Sequence, residues 1–447
     1  MRRIAIVGTG FAGLHAAFPL EKYLRNSNKH EVVLIGDVNY FMFTPLLPQV
    51  ASSYINPRHI IQPVRDVRGR RKFRFLRDTV ESVDLDAKRL RLAGGMLDYD
   101  YLVLAPGSRT DYFGIPGARE NTLDYKTLED GVALRERILD LCEHADHATD
   151  PAERKHLLTI VVVGGGYTGV ELIAEVGDFF RQYVAARFRG IQRSEVHLVL
   201  LEAGAEILRS VHPSLAAHAA RRLQSGGVEI RTGAKVSRCL PDGIEIGGNE
   251  FIPAATVVWA AGVRAHPLVE ALPGPHDRIG RALVNQHLQL EAHPEVFVAG
   301  DSASPSNAPD TPRIAPVAIR EGELAARNIQ HMEQGEALES FVYKDQGSLV
   351  ALGMNDAVVN VFGIRFRGYF AWLLWNAIHL LKLVGFKKQV QVAVDWALGA
   401  FFPRDAASVR RPQSCPLCQP AGREEFAARN ESVPNLEATT RWRSGQN

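Results

Sequence analysis

Apolar residues in this chain come in short, β-branched runs, most of them closing on glycine: RIAIVG (3–8), TIVVVG (159–164), VHLVLLE (196–202), TVVWAAG (256–262) and EVFVAG (295–300). Such runs, bounded by glycine, predict buried strands. The first two pass at once into helical patterns, FAGLHAAF and YTGVELIAEV. The stretch TPRIAPVAIREGELAARNI (311–329) reads as a loop that becomes a helix at Ala315-Pro316. Proline suits the first helical position, because its φ is preset and its missing N–H would have had no partner. HADHATDPAERKH (144–156) is polar, contains a proline and reads as a surface link. Near the other end, YFAWLLWNAIHLLKLVGF (369–386) is almost wholly apolar, interrupted by Asn376, His379 and Lys382. Tyr369, Trp372 and Trp375 cluster at one end of it, and Arg365, Arg367, Lys387 and Lys388 flank it. Aromatics and flanking cations on an amphipathic helix suit a helix lying in a bilayer interface, with lysine stems reaching for water. Packing against the rest of the chain or a second subunit is the alternative.

Composition narrows the picture. A chain of 447 residues has room for two or three domains, and 46% apolar with 23% charged residues is ordinary for a globular protein. A net charge of +2 gives no global pull toward nucleic acid, and none is expected as a partner. The four cysteines are too few and too scattered for a disulfide framework, which favours a reducing cytosol. The basic, apolar start MRRIAIVGTG mimics a signal peptide but runs directly into a glycine motif. No uninterrupted stretch reaches the ~18 apolar residues of a membrane span. The sequence CPLC (415–418) is a single CxxC, half a zinc site or a dithiol. It has no second pair and sits in a Pro-rich polar tail, so no metal is expected and residues 406–447 read as disordered.

The chemistry lies in a repetition. RIAIVGTGFAGL (3–14) and TIVVVGGGYTGV (159–170) each place GxGxxG between a predicted strand and a predicted helix. That context makes the motif a dinucleotide site. The first glycine allows a tight turn, the second lets backbone approach a pyrophosphate, and the third packs helix on strand. Exposed N–H groups and the positive helix end then hold phosphate. Gly8, Gly10, Phe11, Ala12 and Gly13 form one candidate site; Gly164, Gly166, Tyr167, Thr168 and Gly169 form the other. Glu202, at the end of the next strand, is placed to bind ribose hydroxyls and to disfavour a 2′-phosphate, which points to NADH rather than NADPH.

The repetition extends further. DYDYLVLAPGSRT (98–110) and ATVVWAAGVRA (255–265) are both strand–small–glycine units, with Ala105, Gly107 and Gly262 at the crossing between domains. In EVFVAGDSA (295–303), Gly300-Asp301 stands at a strand end, where an acid suits the ribityl or phosphate region of a flavin. The expected architecture is α/β: two Rossmann-like dinucleotide-binding domains, the second inserted in the first, plus a C-terminal membrane-association region. Residues 1–115 and 266–336 make the first domain, 116–265 the second, and 337–405 the C-terminal region.

Two dinucleotide sites on one chain resemble the two-dinucleotide-binding flavoproteins, with FAD in the first domain and NADH in the second. Disulfide reductases of that group carry a cysteine pair soon after the first motif; here NYFMFTPLLPQVASS (39–53) has none. That stretch, together with GGGYTGVELIAEV (164–176), VVWAAGV (257–263), VFVAGDSA (296–303), FVYKDQGSLVALG (341–353) and the ending GYFAWLLWNAIHLLKLVGF…DWALGAFFPRD (368–405), resembles type II NADH dehydrogenase. The resemblance implies a non-proton-pumping enzyme that passes a hydride from NADH to FAD and then reduces a membrane quinone. It would lie peripherally on the cytoplasmic face of the cell membrane, bound through residues 361–402, with a homodimer as the candidate assembly. Glu171 would stand beside the nicotinamide–flavin junction, with Thr44, Pro45 and Leu46 against the isoalloxazine and Gly262 at the edge of the NADH cleft. The N–H of Val317, behind Ala315 and Pro316, would face the flavin edge, and His379 would be either a satisfied polar residue or a group that helps protonate a reduced quinone.

Two departures from the family pattern stand out. The acid expected three residues before Asn39-Tyr40 is Gly36, leaving Asp37, or a backbone N–H, for the FAD ribose. Where the family has an Ala-Gln pair and further glutamines tied to the quinone headgroup, this chain has Ala315-Pro316 and Arg320-Glu321. A non-quinone acceptor, or a low-turnover NADH-responsive flavoprotein, are the competing readings.

Overall fold

Strand Arg2–Val7 is apolar on both faces, with Ile4, Ala5 and Ile6 fully buried. A strand of that kind must be covered on both sides, which is the demand that a parallel sheet with flanking helices satisfies. The computed structural model, which describes residues 1–24, 29–68, 72–345 and 347–408, meets it twice. In the first sheet, five parallel strands run in the order His293–Val298, Tyr101–Leu104, Arg2–Val7, His30–Gly36, Arg74–Arg77. Gln289–Leu290 adds an antiparallel edge. In the second, the parallel order is Leu123–Asp124, Thr256–Trp259, Thr159–Val163, His197–Glu202, Val228–Thr232. The strand carrying the glycine motif is central in both, flanked by the next strand on one side and the later strand–small–glycine unit on the other. The predicted α/β class with two dinucleotide folds is what the chain adopts.

The sheets are joined where the sequence repeats. Ser108–Thr110 pairs antiparallel with Val263–Ala265, so the outgoing and returning segments form one two-stranded ribbon. His293–Val298 then lies beside Tyr101–Leu104 in the first sheet. Each half also carries a three-stranded antiparallel meander, Val80–Asp84 to Gly95–Asp98 and Val236–Leu240 to Glu250–Pro253.

Two helices cover one face of the first sheet, Phe11–Leu24 and Ala315–Gln334. They meet closely: a Cβ on Gly322 would stand 2.1 Å from Ala12 O, and Ala12, Ala105, Ala299 and Ala318 form a cluster of small side chains. Small residues here bring the start of the second helix against the first glycine turn. Past residue 345 a meander of Ser348–Ala351, Ala357–Val361 and Ile364–Arg367 precedes helices Tyr369–Lys382 and Phe386–Phe401. Among the described residues no helix is long and apolar enough to cross a membrane. Residues 1–405 form one compact unit; the remainder, with CPLC (415–418), lies almost wholly outside the described residues.

Candidate functional site

The two glycine turns have nearly the same geometry. Gly8 and Gly164 adopt φ of +111° and +112°, the left-handed side that favours glycine. A Cβ on Gly13 would lie 1.9 Å from Gly8 O, and one on Gly169 would lie 1.9 Å from Gly164 O. Neither Gly10 nor Gly166 has any heavy atom within 4 Å of the place a Cβ would take. The first and third glycines are therefore demanded by the protein's own packing, while the second opens onto space. That open position, beside the N-termini of helices Phe11–Leu24 and Tyr167–Phe179, is a cradle that fits a pyrophosphate.

At the second turn, Glu202 is held by two backbone N–H groups, Gly165 to Oε2 at 2.8 Å and Gly204 to Oε1 at 2.6 Å. A carboxylate so fixed can take both hydroxyls of a ribose. At the first turn Asp37 is exposed, and its Oδ1 accepts from Val38 N–H at 2.9 Å. Gly262, at φ +68°, lies under Phe113, whose ring tip would be 2.2 Å from a Cβ there. Phe113 is itself exposed and left-handed at φ +52°, an apolar ring held over the turn at Gly262 that the sequence does not flag.

Gly300-Asp301 forms a short 3-10 turn at the end of its strand. Ser108 Oγ donates to Asp301 Oδ2 at 2.6 Å, and Lys126 Nζ donates to Ser108 Oγ at 2.7 Å. Burial lowers the Lys126 pKa, and the nearby Asp301 opposes the shift. Beneath this turn Glu321 is buried and accepts from Gly300 N–H at 2.5 Å; burial, reinforced by Asp301, raises its carboxyl to about 8. Glu321 thus fixes the Gly300 turn from inside. The helix start differs in one respect from expectation. Val317 N–H already donates to Ile314 O at 3.0 Å, so it is not a free donor for a flavin edge. Such a 3-10-type bond tightens the first turn of a helix whose start carries Pro316 and no side-chain cap. Arg320 turns away from Glu321 and donates to Lys344 O at 2.8 Å.

Thr44–Leu46 is a 3-10 turn with Thr44 exposed, Pro45 half-buried and Leu46 fully buried. Glu171 projects from the helix of the second turn, and its Oε1 accepts from Ala351 N–H at 2.9 Å. Burial, with Glu175 adding like charge, raises Glu171 to about 8 against the pull of Ala351 N–H and the Trp375 side chain. Four residues on, Glu175 accepts from Ser52 Oγ at 2.9 Å and faces Arg404 at 3.7 Å; burial raises it to about 7. From Trp375 a line of rings runs back to the first turn. His379 stacks on Trp375 at 4.0 Å, Phe43 meets His379 at 6.1 Å, and Phe11 meets Phe43 at 6.0 Å. His379 Nδ1–H donates to Trp375 O at 2.7 Å, and burial pushes the ring down to about 4, so it is neutral.

The expected residues fall into two clusters, one around each turn, joined by Glu171 and the ring line. Glu175, Arg404, Trp375, Lys126 and Phe113 are further contributors. Trp375 stood in the aromatic cluster of the sequence, and Glu175 had a signal as an acid four residues after Glu171 on the same helix face. Among the described residues no group of three or more potential metal ligands occurs.

The pyridine nucleotide-disulphide oxidoreductase family model matches residues 2–322, and the NDH2 C-terminal domain model matches residues 346–405. The chain is 36% identical over 414 residues to the type II NADH:quinone oxidoreductase NdhA of Mycobacterium tuberculosis, covering 89% of this chain and 86% of that protein. It is 30% identical over 373 residues to the type II NADH:quinone oxidoreductase of Staphylococcus aureus, covering 82% and 91%. A solved structure of NDH2 from Plasmodium falciparum in complex with NADH has the same fold, with a TM-score of 0.84 at 20% identity, covering 91% of this chain and all of that one.

Proposed function

The chain belongs to the type II NADH:quinone oxidoreductases, within the pyridine nucleotide-disulphide oxidoreductases, and from that premise we propose how its residues divide the work. It is an FAD-dependent oxidoreductase that moves electrons from NADH to a quinone. When bound, FAD supplies the two-electron carrier between donor and acceptor. The FAD domain is assigned to residues 1–115 and 266–336, the NADH domain to 116–265 and the C-terminal region to 337–405. The ribbon of Ser108–Thr110 with Val263–Ala265 supports that division.

Gly8, Gly10, Phe11, Ala12 and Gly13 hold the FAD pyrophosphate. Ala105, Gly107, Gly300 and Asp301 flank its ribityl chain, and Thr44, Pro45 and Leu46 back the ring system. The N-terminus at Ala315-Pro316 contributes the helix dipole rather than a free N–H. Gly164, Gly166, Tyr167, Thr168 and Gly169 hold the NADH pyrophosphate, Glu202 takes its ribose, and Gly262 with Phe113 borders its path. Glu171 carries this reading. It stands on the second turn's helix, is bonded to the C-terminal region at Ala351 and lies near Trp375, from which the rings of His379 and Phe43 lead to Phe11 of the first turn. A group in that place lies between both nucleotides and the acceptor region. With a titration near 8, it holds a proton through the neutral range and orients the nicotinamide as a neutral acid.

The test is Glu171→Gln. Its rate of flavin reduction by NADH should lose the change between about pH 7 and 9 that the wild type shows, with a difference of roughly tenfold at the alkaline end. A variant that keeps the wild-type profile removes Glu171 from the junction.

For the acceptor side, helix Phe386–Phe401 exposes a stripe of Phe386, Val390, Val394, Leu398 and Phe401, while Asp395 and Trp396 dock on His59 and Gln49. Phe370 and Leu381 expose the neighbouring helix in the same way. A one-sided apolar surface with basic flanks supports peripheral attachment to the cytoplasmic face of a membrane, where the quinone resides. Replacing Phe386 and Phe401 together by serine should lower vesicle binding by about a hundredfold. Unchanged flotation, with dimers in solution, would assign the face to a second copy.

A further inference from the structure

One large apolar ring beside the second turn is not where core packing would put it. Phe113 is 60% exposed. Its backbone is left-handed at φ +52°, and Gly114 follows at +68°. A bulky residue takes that conformation only where the surrounding structure imposes it. Here hydrogen bonds do so. Asp111 N–H donates to Gly262 O at 3.3 Å, Trp259 Nε1–H donates to Asp111 O at 2.9 Å, and Asp111 Oδ1 accepts from Phe113 N–H at 2.9 Å. Tyr112 is fixed in turn, its hydroxyl donating to Asp124 Oδ1 at 2.7 Å and its ring lying 5.9 Å from that of Trp259. The chain is pinned beside Phe113, and the ring is held out over Gly262 with most of its surface open.

Strand order determines what would meet that ring. The central strand, Thr159–Val163, carries the glycine turn, with His197–Glu202 on one side and Thr256–Trp259 on the other. A dinucleotide laid across such a crevice puts its pyrophosphate on the turn and one nucleoside over each neighbouring strand end. Glu202 is assigned the adenosine ribose at the first of these ends. The nicotinamide riboside is left with the second, where Ala260, Ala261 and Gly262 follow Trp259. This end lies close against the turn, for a Cβ on Gly164 would stand 2.9 Å from Ala260 C and Ala261 N. Phe113 covers its last residue, since a Cβ on Gly262 would stand 2.2 Å from the ring tip. An uncharged ring with a free face stacks on a flat heterocycle and offers a pyrophosphate nothing. We propose that Phe113 is the stacking platform for the nicotinamide riboside half of NADH, a specificity residue that the adenosine half does not touch. Gly262 is the glycine that leaves room for the ring. The proposal rests on the second turn being the NADH site.

Full-length flavoprotein variants Phe113→Ala, Phe113→Leu and Phe113→Tyr test it, with Glu202→Ala as the reference. Two quantities are read for each. The first is the NADH concentration that gives half the maximal rate of flavin reduction without oxygen. The second is the inhibition constant of ADP in the same assay, since ADP has the adenosine and pyrophosphate but no nicotinamide riboside. Phe113→Ala should raise the first about tenfold and leave the second within about twofold of wild type. Phe113→Leu keeps apolar bulk without the ring face and should raise the first about threefold. Phe113→Tyr keeps the ring and should stay within about twofold of wild type in both. Glu202→Ala should weaken NADH and ADP alike. A Phe113→Ala chain with the wild-type NADH requirement, an equal loss of NADH and ADP in it, or a Phe113→Tyr chain as weak as Phe113→Ala each overturn the proposal. Should Phe113→Ala purify without flavin, Phe113→Leu decides, and a wild-type ratio of the two quantities there overturns it. A wild-type chain in which ADP does not compete with NADH, or a Glu202→Ala chain that binds both normally, overturns the assignment of the second turn to NADH instead.

Discussion

The first and second glycine turns share one backbone and differ in what surrounds them. At the first, small alanines and Gly322 bring a second helix, Ala315–Gln334, down onto the turn. At the second, the helix after the turn carries Glu171 and Glu175, both with raised pKa values, and packs on residues from the C-terminal region. The first turn is thus flanked by a second helix of its own domain, an arrangement that suits a resident cofactor. The second is bounded by a path that Phe113 and Gly262 border, as suits a substrate that must leave. On the proposed assignment the same motif serves retention in one half and exchange in the other, and the difference lies in the elements packed around it.

The largest effects should come from forcing a side chain into each turn. Gly13→Val and Gly169→Val place atoms against a carbonyl that a Cβ already meets at 1.9 Å. Each should cost its own nucleotide more than about 3 kcal/mol, roughly a hundredfold or more. Gly13→Val should purify without flavin; Gly169→Val should purify yellow and fail to be reduced by NADH. Equal loss of flavin in both would break the division of roles. Next, Glu202→Ala removes a carboxylate from the second turn alone. KM for NADH should rise by about tenfold to a hundredfold, with discrimination against NADPH narrowed and flavin content unchanged.

The smallest effect is on stability. Glu171, Glu175 and Glu321 are raised from an ordinary 4.5 to about 8, 7 and 8. A carboxyl whose folded pKa exceeds its unfolded one gives stability that is full below the unfolded value and lost as pH rises through the folded one. Tm should therefore fall between about pH 5 and 9, and Glu171→Gln/Glu175→Gln should flatten part of that slope. A Tm that rises over this range would contradict the burial of these acids.

Much of this arrangement was legible in the sequence, because its signals are local. The strand–GxGxxG–helix units, the paired strand–small–glycine segments and Glu202 all follow from residues close in the chain. The α/β fold and the family follow from them as well. What escaped depends on distant contact. Arg404 reaches Glu175 and Ser52 across most of the chain, and His379, stacked on Trp375 one helical turn away, meets Phe43 only after the C-terminal helix folds back. Lys126 joins Asp301 through Ser108 from three separate segments. The bond of Val317 N–H to Ile314 O, three residues back, escaped for the opposite reason: it is a choice of helix start that the sequence pattern does not fix. The Gly36 departure looks like a lost acid in the sequence, and the structure adds that a Cβ there would meet Thr9 Cγ2 at 2.5 Å.

Rapid mixing of the purified yellow protein without oxygen tests the central claim most directly: that NADH enters at the second turn and its electrons leave to quinone past the first. NADH should bleach the flavin absorbance in a fast first phase, and a ubiquinone or menaquinone analogue added in a second mix should restore it faster than air does. Flavin that NADH leaves unbleached, or that air re-oxidises faster than any quinone, would contradict the account.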